Sequence, residues 1–217
     1  MALPPATSGW IGLDESGKGD YFGPLVVAAV YVTPEQAASL TALGVRDSKR
    51  LTDLRATTLA AAVRQQAVVE VVKINPARYN SLYAKIKNLN RLLAWAHARA
   101  LENLLGRVTC ERAVIDQFAQ PELIERTLMA AGKKIRVEQR HRAEEDAAVA
   151  AASVVARAEF LAGLQALSTQ IGMTLPKGAS DQVVRVAQRL VATKGMTQLE
   201  QVAKVHFQIT KRLMSAT

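Results

Sequence analysis

"GLDESGKGDYFGPLVVAAV", residues 12–30, is the stretch that decides the fold. It sets two carboxylates side by side, Asp14 and Glu15, at the head of the most apolar segment of the chain. A lysine held between two glycines, Gly17-Lys18-Gly19, follows them. The flanking runs "WIGLDES" and "PLVVAAVYV" are short, apolar and rich in β-branched residues, which reads as two strands separated by a tight turn. Acids at the end of a buried type of strand are costly unless something uses them.

Three further strands follow outward from this pair: "VVEVVKI" (68–74), "RAVID" (112–116) and the weaker "KKIRVEQ" (133–139). Helices lie between and after them. Thr52 is placed to cap one that runs to about Gln66, and residues 88–105 carry apolar positions at helical spacing. "PELIERTLMAA" and "AAVAAASVVARAEFLAGLQAL" do the same, and residues 178–217 read as a further helical tail. The order is β-β-β-α-β-α-β-α. This is an α/β class fold, with a mixed sheet of about five strands flanked by helices. The first three strands are expected as an antiparallel meander and the later ones in parallel. One domain over 1–217 is expected, with about 178–217 as a helical C-terminal extension.

The chain has 217 residues, 49% of them hydrophobic, enough for one sizeable core. Its charge is uneven. Residues 1–45 hold Lys18 against four acids, a net −3 inside a total of +9, so residues 46–217 carry +12. A basic body around a small acidic patch suits a polyanion that is held broadly and attacked at one point. Cys110 is the only cysteine, which excludes an internal disulfide and a cysteine-based zinc cluster and suits a reducing, cytoplasmic setting. "MALPPATSGW" lacks the pattern of a signal peptide, and no uninterrupted apolar run nears the ~18 residues of a membrane span. A monomer without a membrane partner is expected.

The acids sit at strand ends and helix starts: Asp14 and Glu15, Asp116 at the end of "AVID", and Glu144, Glu145 and Asp146 before the alanine-rich helix. Brought together, they would repel one another unless a cation neutralised them. An all-oxygen ligand set suits Mg2+ or Mn2+. Two such ions at roughly 3.5–4 Å can activate a water and stabilise a leaving oxygen in phosphodiester cleavage. Because successive strand residues face opposite ways, Asp14 and Glu15 cannot project identically. Asp14 is expected as the central ligand, with Glu15 contributing differently, for example through its carbonyl. Glu145 and Asp146 also suit the first turn of a helix by its dipole. His97 and His206 read as structural, Trp95 and Phe207 as core. Tyr21 and Phe22 could stack on a base, although Phe22 reads better as packed.

"GLDESGKGDYFGPLVVAAV" closely resembles the opening signature of the type 2 ribonucleases H, in particular the ribonuclease HIII branch. "RDSKRLTD" (46–53), "YNSLYAKIKNLNRLLAWAHARALENLL" (79–105), "VIDQFAQP" (114–121), "RAEEDAAVAAASVVAR" (142–157), "LPKGAS" (175–180) and "KVHF" (204–207) are similar to segments of that branch and cover most of residues 10–210. The resemblance implies a ribonuclease H-like sheet and hydrolysis of the RNA strand of an RNA–DNA hybrid. The products would be 5′-phosphate and 3′-hydroxyl ends, with Mg2+ or Mn2+ as cofactor. It maps the four acidic positions onto Asp14, Glu15, Asp116 and Glu144, with Glu145 leaving the register of the last open. It also makes Gly17-Lys18-Gly19 a substrate turn, its backbone meeting 2′-hydroxyls and Lys18 a phosphate, against the alternative of a plain β-turn. Lys49 and Arg157 become candidate phosphate contacts, and Ser153 a point of close approach. An alternative activity, incision at single ribonucleotides embedded in DNA, belongs to the HII branch, which has arginine and proline where this chain has Lys18 and Asp20. The HIII branch usually carries an N-terminal substrate-binding domain of the TATA-binding-protein type. Thirteen residues precede Asp14 here, so the basic surface of residues 46–217 is expected to supply hybrid affinity.

Overall fold

The computed structural model describes residues 9–46, 48 and 51–215. Its elements run β1 (Trp10–Ser16), β2 (Leu25–Val32), α1 (Pro34–Ala42), α2 (Asp53–Gln66), β3 (Val68–Ile74), α3 (Pro76–Ile86), α4 (Leu89–Leu105), β4 (Arg112–Asp116), α5 (Pro121–Thr127), β5 (Arg136–Arg140), α6 (Ala147–Ile171), α7 (Asp181–Val202) and α8 (Gln208–Ser215). The five strands form one mixed sheet in the order β3-β2-β1-β4-β5. All five expected strands are present and β1, β2 and β3 lie side by side, but α1 and α2 intervene between β2 and β3, so the expected β-β-β run is broken. β4 pairs in parallel with both β1 and β5.

Local chemistry accounts for the helices. Thr52 caps α2 by accepting from the Arg55 N–H at 3.2 Å. α1, absent from the sequence reading, starts with a capping box. The Thr33 hydroxyl accepts from the Gln36 N–H at 3.3 Å, the Gln36 side chain accepts from the Thr33 N–H at 2.9 Å, and Pro34 fills the first turn. α3 was likewise unforeseen and begins at Pro76. α5 ends at Thr127, earlier than the apolar run suggests. α4 buries Leu93, His97 and Leu101 along one stripe, at fourfold spacing.

By internal contacts the chain divides into two compact units. The first comprises the residues up to Glu15, Val27–Val72 and Asn90–Ala158, and it holds the core of the sheet. In it, Gly12 lets α6 lie directly against β1: a Cβ there would sit 2.1 Å from the Ala148 carbonyl carbon. The second comprises Ser16–Val26, Lys73–Leu89 and Glu159 onward. The C-terminal region is helical, as expected. Its helices share a unit with earlier segments, α7 packing on α3. α7 itself is interrupted at Gly195 (φ 80°).

α6 is one helix of 25 residues whose most apolar 18-residue window has a mean hydropathy of 1.6, long and apolar enough by length and composition to cross a bilayer. Charged residues such as Arg157 and Glu159 break the run without breaking the helix. Most of its apolar stretch is buried within the protein, as in a soluble core helix.

Candidate active site

Asp14 and Asp116 come together in the first unit, at the carboxyl ends of two parallel strands. The register Ile11↔Ala113, Gly12↔Val114, Leu13↔Ile115 brings Asp14 level with Asp116 at the next step. In parallel strands, residues at one level share a face, so both carboxylates leave the sheet on the same side. Asp14 accepts the Glu15 N–H at 2.7 Å. It is half-buried and keeps some surface open to solvent. Burial, then the neighbouring Glu15 and Asp116 charges, push its carboxyl up to about 8, against hydrogen bonds from the Glu15 N–H and the Ser153 hydroxyl.

Glu15 leaves β1 on the other side. Its Oε2 lies 3.1 Å from the Nε2 of His97, which is fully buried on α4. The adjacent acids therefore project differently, as strand alternation demands. The side chain of Glu15 is tied down from the opposite face.

Asp116 holds the next acidic segment. Its Oδ1 accepts the Ala143 N–H at 3.1 Å, which anchors the 3-10 turn Ala143–Glu145 beside the end of β4. Arg142 enters that turn in a left-handed conformation (φ 55°). Glu144 is half-buried and Glu145 exposed, and both reach a cavity of about 550 Å³ that Arg46 and Arg142 also line. Asp146 is engaged structurally. Its Oδ1 accepts the Trp10 indole N–H at 2.8 Å and the Ala148 N–H at 2.9 Å, which caps α6.

Ser153, offered to the substrate by the sequence, is instead buried at 3% exposure, bonded to Asp14 and to the Ser48 hydroxyl at 2.7 Å. Arg157 donates to the Ser48 carbonyl and to the Asp53 carboxylate, so it braces these residues. Lys49 lies outside the described residues.

Gly17-Lys18-Gly19 belongs to the second unit and forms a β-turn closed by the Asp20 N–H on the Gly17 carbonyl at 3.3 Å. The two glycines differ. Gly17 has φ +88°, and a Cβ there would meet the Pro24 carbonyl oxygen at 2.2 Å, so the fold itself demands glycine. Gly19 is exposed, and a Cβ there would touch nothing within 4 Å. The segment after the turn is locked by the two later motifs. Asp20 accepts the Gly178 N–H at 2.6 Å, and the Lys204 ammonium donates to the carbonyls of Asp20 and Gly23, each at 2.7 Å. Tyr21 and Phe22 are fully buried, and Tyr21 shares a hydrogen bond with Thr210 at 2.9 Å, so neither is available to stack on a base. The sequence reading gave His97, a lone imidazole on an apolar helix stripe, a structural role only, and it missed Lys204, inside "KVHF".

Does this donor set fit a divalent cation? Among the described residues no three His, Cys, Asp or Glu side chains form a preassembled cage. The chemistry nonetheless fits. The donors are oxygens, and Asp14 is destabilised as an anion by burial and by two like charges, the situation that a hard cation relieves.

Residues 11–210 match the family model described as Ribonuclease HII. The chain is 44% identical over 197 residues to a ribonuclease HIII of Protochlamydia amoebophila, covering 91% of this chain and 65% of that protein. To the ribonuclease HIII of Chlamydia muridarum it is 42% identical over 213 residues, covering 95% and 70%. The chain thus spans about two thirds of the length of these curated relatives. Among solved structures, Bst-RNase HIII in complex with Mn2+ superposes with a TM-score of 0.89 at 35% identity, covering 97% of this chain and 70% of that one.

Proposed function

This chain belongs to the ribonuclease HII family, and we propose that it is a metal-dependent endoribonuclease hydrolysing the RNA strand of RNA–DNA hybrids to leave 5′-phosphate and 3′-hydroxyl ends. The observation that carries the reading is the Asp14–Asp116 level on β1 and β4, with Asp14 raised to about 8 by its surroundings. A carboxylate whose charged form is opposed by burial and by two like charges is one that a cation relieves. The ribonuclease HIII relatives and the Mn2+ complex of a similar structure support the same assignment.

Asp14, Glu15, Asp116 and Glu144 would hold Mg2+ or Mn2+, two ions with substrate bound. When bound, these ions supply an activated water and stabilise the leaving oxygen. The chain's own residues set the geometry. Ser153 and the Glu15 N–H orient the Asp14 carboxylate. Asp116 fixes the turn that carries both Glu144 and Glu145, and half-burial favours Glu144 over the exposed Glu145 as the fourth acid. Lys18, Lys49 and the basic remainder contact phosphates, Gly19 leaves room for a ribose to approach the turn, and Gly17 shapes that turn. Arg157 contributes by bracing Ser48 and Asp53. The enzyme acts as a monomer in the cytoplasm.

The test uses four labelled duplexes, RNA–DNA hybrid, DNA with one embedded ribonucleotide, duplex RNA and duplex DNA, each with Mg2+, Mn2+ and chelator. Cleavage of the hybrid's RNA strand that chelator abolishes is expected. Cleavage of duplex DNA at an equal rate, or cleavage that survives chelation, would overturn the proposal.

A further inference from the structure

We propose that His97 is a positioning residue that holds the Glu15 carboxylate in the orientation in which it binds a divalent cation. The inference rests on the metal-centre reading above and extends it to a residue that carries none of the acids. His97 is fully buried on α4, and its Nε2 lies 3.1 Å from the Glu15 Oε2, whose side chain is itself only 11% exposed. Its other ring nitrogen, Nδ1, is buried with no hydrogen-bond partner among the described residues. A buried nitrogen without a partner is destabilising. Its stripe neighbours Leu93 and Leu101 show that leucine suits this face of α4. An imidazole here therefore loses free energy at one nitrogen and is useful only through the other.

The geometry gives that use. Glu15 projects differently from Asp14, although its charge acts on Asp14 more strongly than that of Asp116, and a glutamate has three side-chain torsions to fix before it can ligate anything. The Nε2–H of His97 removes that freedom. The ring plane is set in turn by Phe118, stacked on it with centroids 4.8 Å apart and planes 27° apart. Phe118 lies two residues past Asp116. His97 thus connects the acid of β1 to the loop that leaves the acid of β4. A partner behind a ligating group, fixing its orientation, typically changes metal affinity about 10–100-fold when removed.

Three variants separate this role from simple packing. H97Q places an amide N–H near the position of Nε2. H97N places one near Nδ1, short of Glu15. H97F keeps a ring to stack on Phe118 and has no donor. Mn2+ affinity is measured by calorimetry on the substrate-free protein, with folding checked by circular dichroism and hybrid cleavage followed in parallel. H97Q should bind Mn2+ at least about tenfold more tightly than H97F and H97N, and the two weak binders should need correspondingly more Mn2+ for half-maximal cleavage. Equal Mn2+ affinity in all three variants would overturn the inference, as would H97F binding as tightly as wild type. Should H97F fail to fold, the contrast of H97Q with H97N decides in the same way. A wild type that binds no Mn2+ would overturn the metal-centre reading and this inference with it. Tight wild-type binding with indifferent variants would overturn this inference alone.

Discussion

Lys204 in one compact unit and Asp14 in the other are both charged groups drawn out of water, and they are treated in opposite ways. Lys204 is fully buried, and burial pushes its ammonium down to about 7 against the attraction of Asp20. Yet it is surrounded by acceptors: the carbonyls of Asp20 and Gly23 at 2.7 Å, that of Phe22 at 3.5 Å, and the face of the Tyr79 ring at 5.8 Å. Asp14 has two hydrogen bonds and two repelling carboxylates. The first charge is completed by its own fold and pins a loop. The second is left to be completed from outside. Buried charge alone does not mark a functional site; buried charge among like charges does.

The largest effect expected is that of Asp14→Asn. It removes a ligand and a repulsion together. Hybrid cleavage should fall by roughly a hundredfold or more, while melting in metal-free buffer stays equal to wild type or rises. The sign with pH follows from the raised carboxyl. The folded state binds this proton up to about pH 8, the unfolded state only near the ordinary value of 3.8. The stability tied to Asp14 is thus fully present below the ordinary value and lost as pH rises through 8. The advantage of the asparagine variant should therefore be largest at pH 8 and above and shrink towards pH 4. Melting curves in chelator at several pH values check this. An advantage that grows towards acid would contradict it.

Lys204→Met should show the reverse profile. Three buried carbonyls lose their donor, at about 1 kcal/mol or more each, and for a chain of this size melting should drop by about 6–12 °C. Its Mn2+ affinity should change by less than the roughly tenfold expected of H97F. If the variant lost metal binding and kept its melting temperature, the two buried charges would have been assigned the wrong way round.

The glycines of the turn sharpen the contrast between fold and function. Gly17→Val should lower melting by several degrees, because φ +88° and the Pro24 carbonyl both exclude a side chain. Gly19→Val should leave melting near wild type, since nothing lies within 4 Å of its Cβ. A loss of hybrid cleavage in Gly19→Val alone would then report blocked approach of the substrate. Normal cleavage would leave the turn a plain connector. The smallest effect is expected from Glu145→Gln, within about threefold of wild-type cleavage as for an exposed carboxylate, beside a loss of about tenfold or more in Glu144→Gln. Single-turnover rates on hybrid distinguish them, and the opposite ranking would move the fourth acid to Glu145.

Much of this was legible in the chain. The five strands follow from β-branched apolar runs, and Asp14 and Asp116 stand out because acids end strands that are otherwise buried. Thr33-Pro34-Glu35-Gln36 spells the capping box of α1 and was readable, although the apolar pattern after it is too weak to draw notice. The roles of His97, Ser153 and Lys204 were not. Each depends on a partner distant in sequence: Glu15 lies 82 residues from His97, and Gly23 lies 181 from Lys204. No local pattern encodes such contacts. Gly17 and Gly19 look identical in sequence, and only Pro24 and Phe160 tell them apart. The division into units also escaped the reading, since α3 and α7 meet across a long stretch of chain.

The most direct test of the central claim, that Asp14 awaits a divalent cation, is the melting temperature of wild type and Asp14→Asn at pH 8, in chelator and in Mn2+. At a concentration about a hundred times its dissociation constant, an ion bound only by the folded state adds about 2.7 kcal/mol. That is a rise of roughly 5–11 °C for a chain of this size. The account predicts that rise for wild type and little or none for Asp14→Asn. An equal rise in both proteins, or none in wild type, would contradict it.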